Sequence, residues 1–147
     1  MRGRRHPPRV LLALGAIAVA ATLGGCGGES KEQKAQKTVC SARADIKTRV
    51  EHLRTLTPSV QALTELRDDA GAIAADLKKM TEAQKDLSPA RRQELQQATS
   101  KFEQQATEVF NNLTRSSSTT QLLTALTGAL HQLAAAYNDA LAPLTCT

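Results

Sequence analysis

Aromatic side chains are almost missing from this chain: one tyrosine, two phenylalanines and no tryptophan in 147 residues. That scarcity argues against a core of stacked rings and against a deep aromatic-lined pocket. Leu, Ala, Val and Ile are left to fill the interior, a composition that suits closely packed helices. Sustained alternation of apolar and polar residues is missing too, so no strand is expected. With no strand there is no place for a glycine-rich phosphate loop between a strand and a helix. His-x-x-x-His, His-Glu-x-x-His and Glu-x-x-His spacings do not occur, which removes the helical metal centres built on them. Asp68 and Asp69 are adjacent, so on a helix their side chains diverge by about 100° and form no acid–base dyad. Ser116, Ser117 and Ser118 have no nearby base or elbow and read as a loop. His52 and His131 read as solvated or interfacial. No catalytic residue, metal or cofactor is therefore expected, and the chain reads as a non-enzyme.

Basic residues are in excess only at the start. Four of the nineteen Lys and Arg (Arg2, Arg4, Arg5 and Arg9) precede the first apolar run. From Cys26 onward, fifteen basic residues face fourteen acidic ones. The formal charge of +5 is thus largely a property of the first residues and gives no ground for nucleic-acid binding. Lys78-Lys79 and Arg91-Arg92 are short basic pairs, read as solvated.

What is present begins with "MRGRRHPPR", a basic segment, followed by "VLLALGAIAVAATL", an uncharged apolar run of fourteen residues. Fourteen residues suit the hydrophobic part of an export signal and are short for a bilayer span. Next comes "LGGCGGES". Leu23-Gly24-Gly25-Cys26 resembles the bacterial lipobox, in which a diacylglyceryl group joins the cysteine sulfur and a peptidase cuts just before that cysteine. The resemblance implies a lipoprotein signal peptide over residues 1–25 and lipidation of Cys26. It also implies an extracytoplasmic chain held at the membrane by acyl chains, more than one of which makes anchoring stable. Residues 26–37 read as the lipidated cysteine and a flexible tether, with helix towards its end.

Two cysteines remain, Cys40 and Cys146, near the two ends of the presumed domain, residues 38–147. In an oxidising compartment the simplest reading is one disulfide between them; two free thiols or a metal site are the alternatives.

From Thr38 on, apolar residues recur every three or four positions in four segments. They run Val39 to Leu56, Val60 to Leu87, Leu95 to Leu113 and Leu122 to Leu144. Thr57 is expected to cap the second segment with Pro58 at its first position, and Ser88 with Pro89 to start the third. Gly71 and Gly128 are weak points that would mark a close approach or a bend. Short links between long amphipathic segments predict an all-α, antiparallel four-helix bundle with a gentle coiled-coil supercoil. Helix count and cysteine placement agree: four antiparallel helices return the chain to its starting end, where Cys40 and Cys146 can meet. The stretch "CSARADIKTRVEHLRTL", with its terminal cysteine, is similar to small helical secreted proteins and lipoproteins of actinobacteria, a resemblance that implies no chemistry. The role expected is an envelope interaction or structural module facing a protein or polymer partner. The alternative is a carrier that holds a lipid or small apolar ligand between helices.

Overall fold

The computed structural model describes residues 28–116 and 118–146. The expected signal peptide, Cys26 and Ser117 lie outside the described residues. Within them the chain forms four helices, α1 (Lys31–Thr55), α2 (Val60–Ala83), α3 (Pro89–Thr114) and α4 (Thr119–Ala140), with a 3₁₀ turn at Gln84–Asp86 between α2 and α3. No strand occurs among the described residues.

Helix α1 starts earlier than the tether reading expects. Ser30 accepts a hydrogen bond from the Gln33 amide at 3.1 Å, and the Gln33 side chain accepts one from the Ser30 amide at 2.8 Å. This reciprocal capping box satisfies two orphan donors and lets the polar residues 31–37 join the helix. The stretch between Cys26 and α1 is correspondingly short. At the other end, Leu56 turns to extended backbone before Thr57-Pro58, where a proline would clash with a continuing helix.

The expected cap at Thr57 is corrected. Ser59 caps α2, accepting from the Ala62 amide at 3.0 Å, and Pro58 lies outside the helix. A hydroxyl two residues further on reaches the free amides of the first turn, so the helix begins at Val60. Ser88 does hold the cap position of α3 with Pro89 at the first turn, although its hydroxyl makes no capping bond. Its backbone amide donates instead to Glu32 at 3.1 Å, tying the start of α3 to α1. Ser118 caps α4 through the Gln121 amide at 3.2 Å.

The helices pack as an antiparallel four-helix bundle. At 1.5 Å per residue each is roughly 33–39 Å long. Packing is closest within the hairpins α1–α2 and α3–α4, with α1 also along α4; α2 and α3 are the loosest neighbours. Ile46, Leu53, Met80, Leu95, Phe102, Leu126, Leu133 and Leu141 form the fully buried interior. Both helical glycines sit in unbroken helix, and a Cβ at either would meet nothing within 4 Å. Neither Gly71 nor Gly128 therefore marks a bend or a close helix contact.

Candidate functional site

The two ends of the bundle differ. At one end, where α1 begins and α4 finishes, the seam between these two helices is sealed, and a charged groove of about 470 Å³ runs beside it between α1 and α2. A disulfide joins Cys40 to Cys146, with Cα atoms 5.6 Å apart and a sequence separation of 106. That Cα distance lies inside the usual range for a disulfide. The Arg43 guanidinium donates to the carbonyls of Ala142, at 3.1 Å, and of Leu144. Arg91 donates to the Thr145 carbonyl at 3.3 Å. Arg92 donates to the carbonyls of Gln84, Lys85 and Leu87, closing the turn after α2. These carbonyls lie in the turns that follow α2 and α4, so each arginine serves as a cap there. The Tyr137 ring is buried, and its hydroxyl donates to the Arg43 carbonyl at 3.4 Å. Burial pushes its pKa above the ordinary value.

A ladder of charges runs along the α1–α2 seam. Asp69 and Asp76 are buried on α2. Arg49 reaches Asp69 at 3.2 Å and Asp76 at 3.8 Å. His52 meets Asp69 at 2.7 Å through Nδ1 and Glu65 at 3.8 Å through Nε2. Lys79 closes the row on Asp76 at 2.6 Å, a contact that raises the lysine pKa. Each carboxylate in the row has a cationic or imidazole partner, which is the condition for keeping such groups out of water. Their arrangement joins helix to helix. Among the described residues no cluster of three or more His, Cys, Asp or Glu side chains could hold a metal ion. The basic pairs divide between roles: Lys79, Arg91 and Arg92 are engaged with the protein, while among the described residues Lys78 makes a long pair with Glu82 at 3.9 Å.

The opposite end is open. A cleft of about 460 Å³ lies where α2 starts and α3 finishes. Leu63, Leu66 and Ala70 of α2, Phe110 and Leu113 of α3 and Leu122 of α4 line it. Leu63, Phe110 and Leu122 are only partly buried, so apolar surface faces the opening. Arg67, Thr114 and Ser116 add polar groups to its walls. The connection through Gln84–Asp86 joins α2 to α3 at the sealed end, and the two helices pack more loosely against each other than the other neighbouring pairs do.

Of the residues singled out in the sequence, Cys40 and Cys146 come together, His52 joins the charge ladder, and His131 is exposed on α4. Sequence reasoning missed the two buried aspartates. Their seven-residue spacing is visible in the sequence, but what marks them as buried is the pairing with Arg49 and His52 on α1, which the spacing alone does not report. It also missed the cleft, for which the unbroken apolar stripes left no mark. No helix among the described residues is long and apolar enough to cross a membrane. No family model, curated protein or solved structure matches this chain.

Proposed function

We propose that this chain is a lipid-anchored protein of the bacterial cell envelope, held through Cys26, and that it acts by binding a lipid or other small apolar ligand between its helices. The apolar run before "LGGC" supports export and anchoring. The disulfide supports an oxidising, extracytoplasmic compartment. The binding role rests on one observation, the cleft between α2 and α3. Its volume of about 460 Å³ falls within the 300–1,000 Å³ usual for small-molecule sites, and its lining is mostly apolar with a few polar groups at the walls. It opens at the end of the bundle remote from residue 28, where the chain leaves its tether, so a ligand can be offered away from the membrane. Partial exposure of Leu63, Phe110 and Leu122 gives the free protein a reason to take one: covering them removes apolar surface from water.

The test is extraction of the native protein from envelopes under non-denaturing conditions, followed by mass spectrometry of what it carries. A lipid or apolar compound present near one per chain, and lost on Leu63→Glu, is the expected result; protein that is consistently empty would overturn the carrier role. Anchoring has its own test. Cys26→Ser should abolish incorporation of a fatty-acid probe, and persistent labelling would refute the anchor.

An adaptor role is the second reading, and Val60 favours it. The residue is 67% exposed at the start of α2 and stands one turn from the partly exposed Leu63, so the two form an apolar edge at the same open end that an envelope partner would cover.

A further inference from the structure

The cleft has a feature that a purely apolar ligand would leave unused. Arg67 stands on its α2 wall, one turn from both Leu63 and Ala70, so its guanidinium rises from the same helix face that lines the opening. It is exposed and, among the described residues, makes no hydrogen bond or ion pair. Arg43, Arg91 and Arg92 are committed to carbonyls at the sealed end, Arg49 to the buried aspartates and Arg115 to Asn112, while Arg54 on α1 is exposed but does not line the cleft. Ser116 brings a hydroxyl to the cleft from the end of α3. An unpaired planar cation at the lip of an apolar slot is complementary to a molecule with a hydrocarbon body and an anionic end. The size of the slot, about 460 Å³ and towards the lower end of the ligand-site range, suits one hydrocarbon chain.

We infer that the cleft binds a single-chain amphiphile with an anionic end group, a carboxylate or phosphate, seated with its chain against Leu63, Leu66, Phe110 and Leu122 and its head on Arg67. This inference rests on the carrier reading and narrows it to a ligand class. It makes Arg67 the residue that discriminates between ligands of equal hydrophobicity. It also sets the direction of entry, hydrocarbon first towards the core and head group at the rim.

The experiment uses the full chain in lipid nanodiscs. Photoreactive dodecanoate and its dodecanol counterpart are titrated onto it, and adducts are mapped by peptide mass spectrometry. Mapping separates occupancy of the cleft from probe dissolved in the bilayer. The expected result is labelling of the α2 and α3 peptides that border the cleft, half-maximal at roughly ten-fold lower concentration for the carboxylate than for the alcohol. Arg67→Gln should erase that difference while leaving labelling by the alcohol unchanged. Arg54→Gln, which removes an exposed cation from α1 at the same end, should change neither. Shortening the carboxylate by two methylenes should weaken labelling by about ten-fold. Competition by unlabelled palmitate and by a lysophosphatidylglycerol then distinguishes a free carboxylate from a phosphate head as the better occupant, and displacement by either supports the proposal. Equal labelling by both probes, unmoved by Arg67→Gln, would overturn the anionic end group and leave the carrier standing. Absence of adducts in the cleft with either probe, or a cleft shielded by a co-purifying protein chain, would overturn both.

Discussion

Asp76 exposes only 4% of its side-chain surface, so its carboxylate depends on Lys79 at 2.6 Å and Arg49 at 3.8 Å. Arg49 also holds Asp69, which makes it the shared partner of two buried acids. Removing the shared partner leaves Asp76 to Lys79 alone and Asp69 to His52 alone, whereas replacing a buried acid by an apolar residue removes the demand for compensation. Arg49→Met is therefore expected to cost about 1–3 kcal/mol, less than for a fully buried pair because Arg49 is 39% exposed. Asp76→Leu restores an apolar residue to the seam and is expected to cost less than about 1 kcal/mol or to stabilise. Urea unfolding of the two variants checks the order, and a larger loss for Asp76→Leu would contradict it. Tyr137 gives a pH dependence at the same scale. Burial raises its pKa above the ordinary value of 10.0, so the folded state keeps the hydroxyl protonated more strongly than the unfolded chain does. Its contribution to stability is complete below about pH 10 and is lost as the pH rises through the folded value. Lys79, raised by its hydrogen bond to Asp76, acts in the same direction. As the single tyrosine of the chain, Tyr137 reports on itself. Tyrosinate absorbance should appear together with loss of helical circular dichroism, and Tyr137→Phe should move alkaline unfolding to higher pH.

Among the helices, the two interior glycines are the places where sequence and element disagree. Each sits in unbroken helix, and a Cβ would meet open space, so alanine keeps the backbone and removes only the conformational freedom that glycine returns to the unfolded chain. Gly71→Ala and Gly128→Ala are each expected to stabilise by about 0.5–1 kcal/mol and to add, since they lie on different helices. Thermal melts of the single and double variants measure this directly; a destabilised variant would mean that the position requires the absence of a side chain. The four helices were legible in the sequence because each carries a long apolar stripe and most have a serine where the first turn needs an acceptor. Exact starts were less legible. Ser30 and Gln33 act together, and Ser59 competes with Thr57 across a proline, so proximity to a free amide decides where composition does not. The charge ladder was hidden for a related reason. Reading α2 through Ala70 and Leu77 gives a continuous apolar stripe and turns their neighbours Asp69 and Asp76 outward. What turns them inward is the presence of Arg49 and His52 on another helix, which no periodicity within α2 can report.

Across the whole molecule, the closure of the bundle was written in the parity of its helices and the position of two cysteines, while the cleft lies where α2 and α3 pack loosely, a property that exists only in three dimensions. The two features sit at opposite ends, and this makes them separable. The Cys40–Cys146 bond closes 106 residues of sequence, worth up to about 4–5 kcal/mol if its effect is to restrict the unfolded chain. Arg43 and Arg91 still grip the carbonyls of Ala142, Leu144 and Thr145 when the bond is absent, so the last residues keep part of their hold on α1 and α3. The paired variant Cys40→Ala, Cys146→Ala is therefore expected to lose about 2–4 kcal/mol of stability yet remain helical at room temperature. Reductant should shift the urea midpoint of the native chain by a similar amount and leave that of the variant unmoved. An unchanged native midpoint would mean that the two sulfurs are not joined. Because Leu63, Phe110 and Arg67 lie at the far end, photolabelling of the cleft in the folded variant should match that of the native chain. Loss of labelling in protein that is still helical would instead mean that the seal at one end of the rods governs the opening at the other, through the α1–α4 contact that joins the two hairpins.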